Sequence, residues 1–220
     1  MAGPRRYNLL CPIARGLDRI GDRWTLLILR DLHAGPARFS ELQSGLTGIA
    51  PNLLTDRLQQ LSEDGLIQKR EGQHGVALYE LTERGRTTRE ILFELALFGG
   101  RFPPDEDPKR PGNLRTIAVT LSAACQRVVT AEADFEAELI VDGETFTLPA
   151  RGGRVSMLYA PALAPDVVMA TGYEALLAAS EGEIGLEQFV TEHVRLEVNT
   201  DGKELELLDL LGNAMEVFAG

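Results

Sequence analysis

Asn52, Thr55 and Gln59 recur at i, i+3 and i+7, one face of a helix. Leu54, Leu58 and Leu61 hold the opposite, inward face. Amide side chains make paired hydrogen bonds to adenine edges, and a threonine hydroxyl meets either a base or a phosphate. Pro51 opens this helix, and Arg38, Ser40 and Arg57 stand close to it in sequence. Arg38 and Arg57 are placed to meet phosphates. Downstream, Lys69 and Arg70 precede a glycine-rich turn that carries Gln73 and His74 at its tip. Such a basic approach and tip can touch a nucleic-acid backbone or a minor groove. The plain alternatives are a solvated helix face and an ordinary loop histidine.

No catalytic constellation accompanies these residues. His193 stands alone, and no metal-ligand spacing, nucleophile elbow or phosphate loop occurs. The expectation is no enzyme, no metal and no cofactor. Cys11 and Cys125 are the two cysteines, too few for a disulfide scaffold. No stretch reads as a signal peptide or is apolar enough to span a bilayer, so a cytoplasmic chain without membrane contact is expected.

The elements that must position this chemistry follow from patterning. Pro12 opens a helix with Ile13, Leu17 and Ile20 on one face, and Asp22 can cap a second, apolar helix running to about His33. Ser40 with Gln43 reads as a capping box for a short helix. A glycine-containing turn then leads to the Pro51 helix, which ends at Gly65. Two helices so joined form the helix-turn-helix pattern. Leu66–Glu71 and Val76–Leu81 read as a hairpin, a wing. Thr82 caps a long helix from Glu83 to about Phe98. Its C-terminal part is apolar almost all round, so Ile91, Leu92, Leu95 and Phe98 are expected at a dimer interface, the plain alternative being packing against the second domain.

Composition supports a division. The 220 residues carry a net charge of −11. Residues 1–102 hold 14 Lys/Arg against 12 Asp/Glu, while residues 103–220 hold 8 against 21. Charge asymmetry between halves hints at a nucleic-acid-binding part beside a part with another task. The proline-rich stretch 103–112 is a linker between domains 1–102 and 113–220.

Taken together, the first hundred residues resemble the HxlR-type winged helix-turn-helix transcriptional regulators. The resemblance rests on Cys11-Pro12-Ile13-Ala14, the run Ile20–Arg30, Arg38–Leu42, Gly48–Leu54, Asp64-Gly65-Leu66 and Tyr79–Gly85. It implies a homodimer that binds a double-stranded DNA operator. Ala50 departs from it: the family commonly has Ser there, which would cap the recognition helix. The family also draws attention to Cys11, because some members sense oxidants or electrophiles through this cysteine. A helix start is a position where a thiolate is stabilised. The plain alternative is a small helix-start residue.

In the second half, Leu114 to about Val129 reads as a helix, and strands flank the Asp142-Gly143 hairpin turn. Two further strands follow at about 154–159 and 166–170. A helix opened by Thr171 and Glu174, a strand at 194–198 and a last helix at 203–218 complete the order. This order resembles the sterol-carrier-protein type 2 fold. The resemblance implies an α+β domain with a mainly antiparallel sheet and an apolar cavity between sheet and helices. Candidate lining residues are Phe135, Leu139, Met157, Tyr159, Met169, Leu176 and Phe189.

The sequence therefore points to a dimeric, sequence-specific DNA-binding regulator whose C-terminal domain senses an apolar small molecule or lipid. Repression is the commoner sign for such regulators. Two rivals stand beside it. One is a redox switch through Cys11 with the C-terminal domain as a dimerisation scaffold; the other is a lipid-binding protein that does not bind DNA.

Overall fold

The computed structural model describes residues 7–72, 75–102 and 110–219. Gln73 and His74, and linker residues 103–109, lie outside the described residues. The chain forms two compact units, Met1–Thr88 with Lys109–Gly112, and Arg89–Pro108 with Asn113–Gly220.

The first unit contains helices α1 (Pro12–Ile20), α2 (Thr25–His33), α3 (Phe39–Gly45) and α4 (Pro51–Glu63). Strands β1 (Ile67–Glu71) and β2 (Ala77–Leu81) and the short α5 (Glu83–Arg86) follow. Pro12 sits in the first turn of α1, where its missing N–H removes no hydrogen bond. Asp22 receives the Trp24 N–H at 2.9 Å and the Thr25 N–H at 3.3 Å, and so satisfies the start of α2. The α3 helix opens earlier than the Ser40 capping box predicts. Arg38 is the N-cap, and its N–H donates to the Glu41 carboxylate at 2.6 Å. β1 and β2 pair antiparallel, Ile67 opposite Leu81 and Glu71 opposite Ala77. Ala37 adds a bridge to Tyr79, so the hairpin is tied back to the helices. Ile28, Leu29, Leu42, Leu54, Leu58 and Leu61 form the buried centre. Burial of each such side chain contributes roughly 1.5–3 kcal/mol.

The long helix expected from Glu83 is broken. α5 ends at Arg86, and α6 runs Thr88–Gly99. The Thr87 and Thr88 hydroxyls donate to the carbonyls of Arg84 and Gly85, both at 2.7 Å, competing with helix continuation. Gly85 lies so close to the Leu66 carbonyl that a Cβ would stand 2.0 Å from its oxygen. No other residue fits there.

The second unit contains the rest of α6, then α7 (Thr116–Val128), β3 (Asp134–Val141) and β4 (Glu144–Arg151). β5 (Arg154–Val155), β6 (Val167–Thr171), α8 (Tyr173–Ser180) and the short α9 (Leu186–Gln188) follow. A π turn at Phe189–His193, β7 (Arg195–Val198) and α10 (Lys203–Ala219) close the chain. The five strands lie in the order β5-β4-β3-β6-β7. β3 pairs parallel with β6, and the other pairs are antiparallel, so the sheet is mixed. The Asp142-Gly143 turn joins β3 to β4 with both residues at positive φ, 48° and 84°, as a two-residue hairpin requires. The capping box expected from Thr171 is replaced by an acceptor from the hairpin: the Asp142 carboxylate takes the Tyr173 N–H at 3.2 Å. Phe135, Ala137, Leu139 and Val141 alternate inward along β3. α7 and α10 pack on each other, and α10 rests on β3, β6 and β7.

Asp166, just before β6, ties together one end of the strands. It accepts the Glu136 N–H at 2.8 Å and the Thr200 hydroxyl at 2.7 Å. These bonds hold its carboxyl below the usual carboxylate range.

Candidate nucleic-acid interface

α4 presents Pro51, Asn52, Thr55 and Gln59 to solvent, while Leu54, Leu58 and Leu61 are buried. The helix is pinned from behind at two points. Arg57 pairs with Asp22 at 3.2 Å, and Arg19 pairs with Asp64, just beyond the C-terminus of α4, at 2.5 Å. Arg57 was expected to meet a phosphate. It lies on the flank of α4, partly exposed, with its Nε turned to Asp22 at the α1–α2 corner. Asp22 thus serves both the start of α2 and the anchoring of α4.

The exposed polar groups keep hydrogen-bonding capacity. The Thr55 hydroxyl donates to the Pro51 carbonyl at 2.9 Å and still has oxygen lone pairs to offer. Gln59 gives an amide N–H to Glu63 at 2.9 Å. Arg38 and Ser40 are exposed at the start of α3. Lys69 and Arg70 are exposed on β1. Lys69 lies 5.4 Å from the Tyr79 ring centroid, and Arg70 pairs with Glu80 at 3.2 Å.

Ala50 is the N-cap of α4 and makes no side-chain cap. Ala50→Ser is expected to stabilise the first unit by about 1 kcal/mol, read as a shift of the urea midpoint at unchanged slope. No shift would mean that Pro51 already supplies what the cap would add.

The HxlR-like helix-turn-helix family matches residues 19–107. An uncharacterised HTH-type transcriptional regulator of Synechocystis is 34% identical over 93 residues, which are 41% of this chain and 68% of that protein. The chain belongs to the HxlR-like helix-turn-helix family. The uncharacterised HTH-type regulator YybR of Bacillus subtilis is likewise 34% identical over 92 residues, 40% of this chain and 73% of that protein. Among solved structures, the redox regulator HypR in its oxidised form is 28% identical. It covers 43% of this chain and 100% of its own, with a TM-score of 0.41.

The HxlR-like match takes in α4, the wing and α6. The dimer face expected on α6 is divided by the structure. Leu92 is buried inside the second unit, beside the fully buried Phe93. Ile91, Leu95 and Phe98 remain 48%, 47% and 59% exposed. α1 carries two further exposed apolar side chains, Ile13 and Leu17, and Leu10 is exposed just before it. Cys11 is half-buried at the N-cap of α1. Cys125 is buried, which pushes its thiol up to about 12 and leaves it inert near neutral pH.

The second unit has a cleft of about 730 Å³. Its described walls are helices: the C-terminal end of α6 with Arg101 and Phe102, then α7, α8 and α10. The sequence placed a cavity between sheet and helices. Of the seven residues proposed to line it, Leu176 borders this cleft. Phe135, Leu139, Met157, Met169 and Phe189 are buried core instead. Tyr159 stacks edge-on against Phe146 with ring centroids 5.2 Å apart. Strand alternation identifies which side chains point inward, but it cannot tell a filled core from a hollow one. Among the described residues, no helix is long and apolar enough to cross a membrane, and no cluster suits a metal ion.

Proposed function

We propose that the chain is a homodimeric, sequence-specific DNA-binding regulator, a repressor in sign, whose second unit senses an apolar small molecule. The observation that carries this reading is the exposed row Asn52, Thr55 and Gln59 on a helix pinned by Asp22 and Asp64, beside an exposed basic strand, in a chain of the HxlR-like family. Bases are read from the row, and Arg38, Lys69 and Arg70 meet the backbone. Ile91, Leu95 and Phe98 supply the two-fold interface that sets the spacing of two recognition helices. The sterol-carrier-like reading of the second unit is supported by its five-stranded sheet backed by α7 and α10 and by the cleft among its helices.

A gel-shift against the DNA upstream of its own gene tests the proposal. A specific complex is expected at moderate salt. Asn52→Ala and Gln59→Ala should each cost about 1–3 kcal/mol of specific affinity with the salt slope unchanged. Lys69→Ala should weaken all sequences alike and reduce the slope by about one. Absence of any specific complex would leave the carrier reading in its place.

The half-buried position of Cys11 at a helix N-terminus favours a second reading, a redox-controlled regulator. Cys11→Ser separates the two. Induction by oxidants that survives this change sinks the redox reading.

A further inference from the structure

The helical cleft of the second unit has a volume within the range of small-molecule sites. Its base is apolar and well buried: Ile117, Leu121 and Leu176. Leu97, Met215 and Phe218 continue the apolar surface up its walls. The charged groups among its described lining are Arg101, Glu181 and Glu183, two carboxylates against one guanidinium. All three are exposed, so they stand at the rim rather than in the depth and leave it with a net negative charge. The surrounding chain deepens this bias, because residues 103–220 carry 21 Asp/Glu against 8 Lys/Arg. A net negative charge at and around a cleft concentrates cationic ligands.

We infer that this cleft is the effector site and that it takes an amphipathic monocation: an apolar body bearing one ammonium group. The apolar body is buried against Ile117, Leu121 and Leu176. The ammonium group stays at the rim, where Glu181 and Glu183 meet it without being dehydrated. An anion of the same shape meets net negative charge on the way in and at the rim. The inference rests on the reading of the second unit as a sensor. It also gives that sensor an output. α6 lends Ala96 and Leu97 to the cleft while its Ile91, Leu95 and Phe98 are exposed for a second copy. An occupant that favours one position of α6 therefore biases the dimer.

Calorimetry on the full chain with three probes of one chain length tests this. The probes are dodecyltrimethylammonium, dodecanol and dodecanoate, each held below its micelle concentration with the far-UV spectrum unchanged. The cation should bind about tenfold or more tighter than the anion. Glu181→Gln with Glu183→Gln should erase that preference and leave dodecanol binding as it was. Both glutamates are exposed, so this variant keeps its fold. Thr120→Trp, which fills the cleft, should weaken all three. Dodecanoate binding as tightly as the cation, or a preference that survives the double Gln variant, overturns the assignment. Gel-shifts with the cation present separate the two levels. Binding that obeys these rules but never alters operator affinity keeps the ligand site and overturns the sensor reading alone.

Discussion

Replacing Leu95 and Phe98 together by glutamate is expected to make the protein monomeric and to cut operator affinity by about 100-fold or more. Both side chains lie about half in solvent, so the exchange removes little from the fold of the second unit. With Ile91 they form a stripe at i, i+4 and i+7, and Phe102 extends it, its ring 5.1 Å from that of Phe98. An apolar stripe of that length facing water marks an association surface. Charge placed at its centre would be buried unpaired in a dimer, at a cost of several kcal/mol. Losing the dimer converts a two-site grip on the operator into two independent weak ones. Sedimentation equilibrium reads the first effect and gel-shift the second. A variant that stays dimeric at micromolar concentration removes α6 as the interface.

Phe93→Ala acts on the other side of the same helix, and its expected cost is about 3–5 kcal/mol. Phe93 is fully buried. Its ring lies 5.4 Å from that of Phe218 on α10, and the Arg127 guanidinium sits 3.9 Å from its centroid. Glu90 and Glu94, one turn apart on α6, each hold Arg127 at 2.9 Å. Truncation opens a cavity and removes the surface on which Arg127 stacks, so the relaxed neighbours recover little. Urea unfolding followed in the near-UV measures the loss. A cost below about 1 kcal/mol would mean that α6 is held mainly by its ion pairs.

Much of the first unit was legible because local rules decide it. Pro12, Pro51 and Gly65 mark helix ends by backbone chemistry alone, and Leu54, Leu58 and Leu61 declare the inward face of α4. The Asp142-Gly143 turn was equally plain. Other features depend on contacts distant in sequence. The break between α5 and α6 arises where Gly85 meets the Leu66 carbonyl. Helix periodicity does not register that contact. The pair of Arg57 with Asp22 at 3.2 Å joins residues thirty-five positions apart, which no local pattern announces. The pairing of β3 with β6 skips two strands, so no hairpin signal announces it. The cleft was invisible for the same reason. Its walls come from four helices spread along the second unit, and six of the seven residues expected to line a cavity fill space elsewhere.

The two cysteines have a practical consequence. Cys125 is sealed inside the fold with its thiol essentially never ionised near neutral pH, while Cys11 is partly open at the start of α1. The wild-type chain is therefore a single-label protein as it stands. A maleimide spin label or dye will report from one defined position on each subunit. In a two-fold assembly this yields a single label-to-label distance, without the background of cysteine removal that such spectroscopy usually demands.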